Sequence, residues 1–182
     1  GRVGTHWWAF ESQDVVPDIV TIGKPMGNGH PVAAVVTTPE IARSFNNGME
    51  YFNSFGGNPV SMAVAHAVMD VIEEEGLLAR AERVGQYLQE GFNALASEHQ
   101  EIGDVRGLGM FIGVELVEDR ETRKPATQLA GKVIEKVLED RILLSVEGPG
   151  HNVLKIKPPL QFSEVDADLL LGSVNRALTI LK

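Results

Sequence analysis

The sequence contains no cysteine. That excludes a disulfide framework, a thiolate nucleophile and a thiolate metal site. It suits a cytoplasmic location, which is the expectation adopted here. Long apolar runs are missing as well: none approaches the ~20 residues needed to cross a bilayer, so a soluble protein is expected. The opening ten residues show neither the charged-then-apolar pattern of a leader nor a small-residue cleavage site. They also lack an initiator methionine, and Gly1-Arg2-Val3-Gly4 reads like the middle of a longer protein. Basic residues are the minority, 16 Lys and Arg against 25 Asp and Glu. Nucleic acid and anionic membranes both reward clustered cations, so neither is an expected partner. The five histidines stand singly, without metal-ligand spacing, and no metal is expected.

What is present is ordinary globular composition over 182 residues, enough for one large domain or parts of two. Three regions separate. Residues 1–58 hold Val15-Val16-Pro17-Asp18-Ile19-Val20-Thr21-Ile22, a β-branched run suited to a short buried strand, and a second apolar run at residues 32–37. Pro39-Glu40 opens a short helix. Residues 59–99 form a connecting helical segment, capped by Asn58 with Pro59 in its first turn. It is interrupted at Glu73-Glu74-Glu75-Gly76, so it is one bent helix or two.

Residues 100–182 alternate strands and helices. A strand is predicted within residues 102–116, a helix from Leu129 to Glu139, and short strands at residues 142–145 and 153–157. The last helix opens at Ser163 with Asp166 three residues on, a capping arrangement. Its inward face is predicted to carry Leu169, Leu170, Val174 and Leu178, and Leu129, Val133, Ile134, Val137 and Leu138 share a face on the preceding helix. This order makes a small α+β domain. Gly107-Leu108-Gly109 with Gly113 has the wrong spacing for a dinucleotide loop, and a strand follows it, so NAD binding is rejected.

Lys24 directly follows the first strand, in Thr21-Ile22-Gly23-Lys24-Pro25-Met26-Gly27-Asn28-Gly29-His30-Pro31. An ammonium next to a buried strand must be paired, solvated or deprotonated, and lysines in perturbed environments serve as Schiff-base residues. Three glycines let backbone pass close to a flat group, and two prolines stiffen the loop. Taken alone, these features fit a surface loop with a solvated lysine more often than a catalytic one. His30, as a single histidine, suits a local hydrogen-bonding role.

The residues from Pro17 to Lys24, followed by Gly27-Asn28-Gly29-His30-Pro31, resemble the lysine motif of class III aminotransferases, which are fold-type I enzymes dependent on pyridoxal phosphate. Four further landmarks at family spacing support the resemblance: Arg2-Val3-Gly4 with Phe10-Glu11, the stretch from Tyr51 to Pro59, Val105-Arg106-Gly107-Leu108-Gly109-Met110, and Lys155-Ile156-Lys157-Pro158-Pro159-Leu160. The resemblance implies an α/β plus α+β fold. Residues 1–58 would end the large cofactor domain, residues 59–99 would connect, and residues 100–182 would form the small C-terminal domain.

The resemblance also implies roles. Lys24 would carry pyridoxal phosphate as a Schiff base and, once freed, shuttle the substrate's proton. Ser54 would replace the family's usual Thr in holding the cofactor phosphate of the neighbouring subunit, so a homodimer is expected. Substrates would be a small amine or amino acid and a 2-oxo acid. The Asp that pairs with the pyridine nitrogen, the ring-stacking aromatic and the Gly-Ser phosphate loop would lie upstream of Gly1. By itself the chain is therefore expected to be a folded domain without catalysis or strong cofactor binding.

Within the family, members that act on α-amino acids commonly grip the α-carboxylate with an Arg just before the Pro-Pro pair, because a planar guanidinium makes two parallel hydrogen bonds. Here Lys155 occupies the aligned position, which puts that clamp in doubt and makes Lys155 a candidate substrate-binding residue. An alternative is a strand-edge charge facing water. The wording of this stretch and of Glu50-Tyr51-Phe52-Asn53 is similar to a branch that includes alanine–glyoxylate aminotransferase and the ethanolamine-phosphate and phosphohydroxylysine phospho-lyases. A phospho-lyase acting on a phosphorylated amino alcohol is thus the alternative to amino transfer.

Overall fold

The computed structural model describes residues 1–181, in two compact units: Phe10–Gly76, and Gly1–Ala9 together with the chain from Leu77 onward.

In the Phe10–Gly76 unit, β1 (Ile19–Ile22) runs antiparallel to β2 (Ala34–Thr37), with Ile19 opposite Thr37 and Ile22 opposite Ala34. The two are joined through a 3-10 turn, Lys24–Gly27. α1 (Pro39–Phe45) starts at Thr38, whose hydroxyl accepts the Ile41 N–H. α2 (Pro59–Glu74) starts at Asn58 in the expected way: the side-chain oxygen accepts the Ser61 N–H at 2.9 Å, and Pro59 occupies the first turn, where no N–H is needed. The interruption before Leu77 separates α2 from a distinct helix, α3 (Leu77–Glu98).

The expected burial of the first strand is corrected. Ile19, Val35 and Val36 are all more than half exposed, because within this unit the two-stranded ladder has no covering layer. Among residues 10–76 only Gly27, Ser61 and Ala65 are buried. A β-branched run reports suitability for a half-buried pleated surface, and burial itself depends on what packs against it.

The unit containing Leu77 onward holds the hydrophobic core. Its sheet is antiparallel in the order β3 (Ile102–Leu108), β4 (Phe111–Asp119), β7 (Val153–Ile156), β6 (Ser145–Glu147), with the short β5 (Lys124–Pro125) also pairing with β4. Ile112 lies opposite Ile156 and Val114 opposite Leu154, and all four are buried on one face. Phe92 and Leu88 of α3, Val133 and Val137 of α4 (Thr127–Glu139) and Val174 and Leu178 of α5 (Glu164–Ile180) complete that core. Helices gathered against one side of an antiparallel sheet make the expected α+β domain.

Four details differ from the sequence expectation. Residues 102–116 form two strands of a hairpin instead of one, because Gly109-Met110 make a two-residue turn with Gly109 at φ +51°. The strand expected at residues 142–145 lies at Ser145–Glu147; Leu143 is 86% exposed. Leu138 and Leu169 face outward, at 55% and 63% exposure, since small Ala130 and Ala167 take the inner positions and let the helices approach.

The Ser163 cap is a full reciprocal box. The Asp166 carboxylate accepts the Ser163 N–H at 2.9 Å and its hydroxyl at 2.6 Å, and the Ser163 hydroxyl oxygen accepts the Asp166 N–H at 3.3 Å. The side-chain bond first, then the backbone bond, hold the Asp166 carboxyl below the usual aspartate range. A depressed carboxyl contributes stability that is present above its unfolded pKa and lost as pH falls through its folded one. Carbon-detected NMR titration should therefore find Asp166 ionising at lower pH than an ordinary aspartate. Ser163→Ala should return it toward the ordinary value; an unmoved titration would remove the box as the cause.

Candidate functional site

The lysine turn is built by the backbone. As β1 ends at Ile22, the chain enters three overlapping turns: the Met26 N–H donates to the Gly23 carbonyl at 2.9 Å, Asn28 to Pro25 at 3.1 Å, and His30 to Gly27 at 2.9 Å. Asn28 closes the 3-10 turn in the left-handed region at φ 44°, which asparagine tolerates better than most residues. Gly27 is buried, and a Cβ there would lie 2.7 Å from the Val32 side chain. Lys24 is the first residue of the turn, so its side chain leaves the backbone where strand becomes turn. It is exposed, and nothing among the described residues hydrogen-bonds or ion-pairs with its amine.

Ser54 lies in the same unit, in the turn leading to α2. Asn53 organises that turn: its side-chain oxygen accepts the Phe55 N–H at 3.2 Å and the Gly56 N–H at 3.0 Å. Asn58 adds a bond from its amide nitrogen to the Phe55 carbonyl at 2.8 Å. Ser54 itself is exposed, and its hydroxyl has no partner among the described residues. Gly57 follows at φ +69°, ahead of the first turn of α2. A free hydroxyl next to a helix N-terminus suits an anion.

Lys155 lies in the other unit, on an interior strand with partners on both sides, so the strand-edge alternative does not hold. It alternates with buried Leu154 and Ile156 and projects from the opposite face of the sheet. There its ammonium pairs with the Glu147 carboxylate of β6. That bond, with the ammonium's charge, holds the Glu147 carboxyl below the usual carboxylate range. On the same sheet Arg106 bridges Asp104 and Glu115, at 2.6 Å each. The Lys155–Glu147 pair has no signature in the sequence, because it joins residues whose strand register only the folded sheet defines. The contact between His30 and Ser61, with Nε2 and Oγ 2.9 Å apart, was equally hidden. Among the described residues no cluster of His, Asp and Glu suits a metal ion, and no helix is long and apolar enough to cross a membrane.

Comparison with known proteins gives a consistent answer. The family described as aminotransferase class-III matches residues 1–178. Alanine--glyoxylate aminotransferase 2-like of Drosophila melanogaster is 55% identical over 181 residues, covering 98% of this chain and 37% of that protein. Ethanolamine-phosphate phospho-lyase homolog 1 of Caenorhabditis elegans is 44% identical, covering 100% of this chain and 39% of that protein. Among solved structures, an Arthrobacter phospholyase in complex with phosphoethanolamine superposes with a TM-score of 0.93 at 42% identity, covering 98% of this chain and 42% of that one. The chain thus spans well under half the length of these relatives. The lysine turn, the Asn58-capped helix and the α+β domain sit within a match that runs almost end to end, and the chain belongs to the class III aminotransferase family.

Proposed function

We propose that the protein carrying this chain is a pyridoxal-phosphate enzyme moving an amino group between an amine and a 2-oxo acid, with Lys24 holding the cofactor. What supports this reading is the class III family match over residues 1–178, within which Lys24 stands at the exit of β1 in the lysine motif. The donor set fits the cofactor in a two-fold assembly: a primary amine for the aldehyde of the subunit's own cofactor, and the Ser54 hydroxyl with the start of α2 for the phosphate of the neighbouring subunit's cofactor. When bound, pyridoxal phosphate supplies the electron sink that lets a bond at the amine-bearing carbon break. Lys24 Nζ holds the cofactor in place and, once displaced by the incoming amine, takes up and returns the proton at that carbon. Ser54 orients the phosphate of the neighbouring subunit's cofactor, so assembly as a homodimer belongs to the same reading.

On substrate choice, Lys155 supports an amine whose reacting carbon bears no carboxylate, such as an ω-amino acid or a phosphorylated amino alcohol. An ammonium can meet a phosphate as a point charge but cannot make the bidentate fork that orients an α-carboxylate. Here it is also engaged by Glu147. A second reading, elimination of phosphate and ammonia, is favoured by the likeness to the phospholyase structure with phosphoethanolamine.

Steady-state kinetics on the full-length protein test both. Alanine should be compared with β-alanine, using pyruvate or glyoxylate as acceptor, and phosphate release followed with ethanolamine phosphate. The expected result is a higher kcat/KM for β-alanine than for alanine, or phosphate release exceeding either. If alanine is the best substrate and Lys155→Ala leaves every ratio unchanged, Lys155 does not select the substrate.

A further inference from the structure

Asn58, Ser61 and His30 form a hydrogen-bonded chain across the Phe10–Gly76 unit. The Asn58 amide nitrogen donates to Ser61 Oγ at 2.9 Å, and Ser61 Oγ lies 2.9 Å from His30 Nε2. The Ser61 hydroxyl accepts from Asn58 and keeps both a proton and a second lone pair for His30 Nε2, so it bridges the two side chains in either ring tautomer. At one end, His30 closes the turn that starts at Gly23 and bears Lys24. At the other, Asn58 holds both the Ser61 N–H and the Phe55 carbonyl, the residue after Ser54. The chain spans 31 residues of sequence.

Both ends of the link reach buried positions: Gly27 in the lysine turn and Ser61 in the hydrogen-bonded chain itself. Gly27 also brings backbone close under His30, whose Cβ would be 3.4 Å from a Cβ at Gly27. A satisfied, part-buried polar link of this kind fixes the geometry of the segments it joins.

We propose that His30 is a positioning residue which, through Ser61 and Asn58, locks the Lys24 turn to the Ser54 segment, so that the attachment of the subunit's own cofactor and the grip on the neighbouring subunit's cofactor phosphate are set as one unit. This rests on the cofactor-binding reading given above.

The test is a double-mutant cycle on pyridoxal-phosphate affinity in the full-length apoprotein, using His30→Phe, Ser61→Ala and the double variant. Each single variant should weaken binding about tenfold, the scale of one hydrogen bond. The double variant should lose no more than the worse single. His30→Gln, which keeps a polar group near the Nε2 position, should recover most of the affinity, and Ser61→Thr should do the same against Ser61→Ala if His30→Phe fails to fold. In long-range nitrogen–proton NMR of the apoprotein, Ser61→Ala should change the His30 Nε2 shift, and an unmoved shift would overturn the link. Borohydride labelling of the parent separates two failures. Label on Lys24 with additive losses, or with parent-like affinity in both single variants, overturns the link and leaves the cofactor reading standing. Absence of label on Lys24 overturns the cofactor reading, and the link with it.

Discussion

Lys24→Ala in the full-length protein is expected to abolish turnover, and borohydride reduction of the parent with pyridoxal phosphate is expected to fix the cofactor on the peptide containing Lys24. The size of the effect follows from two losses at one atom. Removing Nζ removes the covalent attachment and also the group that moves the proton at the substrate carbon; a positioned acid–base group alone is worth about 10²–10⁴-fold. The fold should not suffer, since Lys24 is exposed and bonded to nothing among the described residues, while the turn is held by backbone bonds that alanine keeps. A surface substitution of this kind changes stability by about 0.5 kcal/mol or less. Unchanged melting with activity gone is therefore the expected pair of results. Label on another lysine, together with an active Lys24→Ala protein, would remove the central assignment.

What could be read from the sequence was whatever depends on neighbours along the chain. Asn58 and Ser163 with Asp166 announced helix starts because caps are fixed by contacts three residues away. The helices α4 and α5 followed from periodicity, although the inward side was misjudged at Leu138 and Leu169, where periodicity favoured leucine over the alanines that close packing required. The β3–β4 hairpin was hidden because Gly107 and Gly109 were weighed only against a dinucleotide loop, whereas Gly109 with Met110 makes the turn. Lys24 was legible only through resemblance, since a solvated loop lysine has no distinguishing local pattern. The partners that give Lys155 and His30 their surroundings, Glu147 and Ser61, are set by strand register and by turn-to-helix packing. No spacing rule reaches that far.

The same substitution, glycine to alanine, should have opposite effects at two helical positions. In an open helix interior the change stabilises by about 0.8–1 kcal/mol, because glycine has more backbone freedom to lose on folding. Gly131 in α4 is such a place: an added Cβ meets nothing within 4 Å. Gly85 in α3 is the reverse. Its Cβ would lie 2.2 Å from the carbonyl carbon and oxygen of Gly109, the hairpin turn. The turn cannot retreat, because a Cβ on Gly109 would itself lie 2.4 Å from the Arg2 carbonyl, and the Met110 N–H is bonded to that carbonyl at 3.0 Å. Helix, turn and the Gly1–Ala9 segment are thus stacked backbone to backbone, with Arg2 further tied to the Pro158 carbonyl. Relief requires moving backbone by more than an ångström, and overpacking of this kind costs about 1–3 kcal/mol or more. That exceeds the propensity gain, so Gly85→Ala should be net destabilising while Gly131→Ala stabilises. Urea denaturation, with hydrogen exchange followed at the amides of α3 and the β3–β4 hairpin, measures both. Equal and positive shifts for the two variants would mean that the close approach of Gly85 to Gly109 does not constrain the fold.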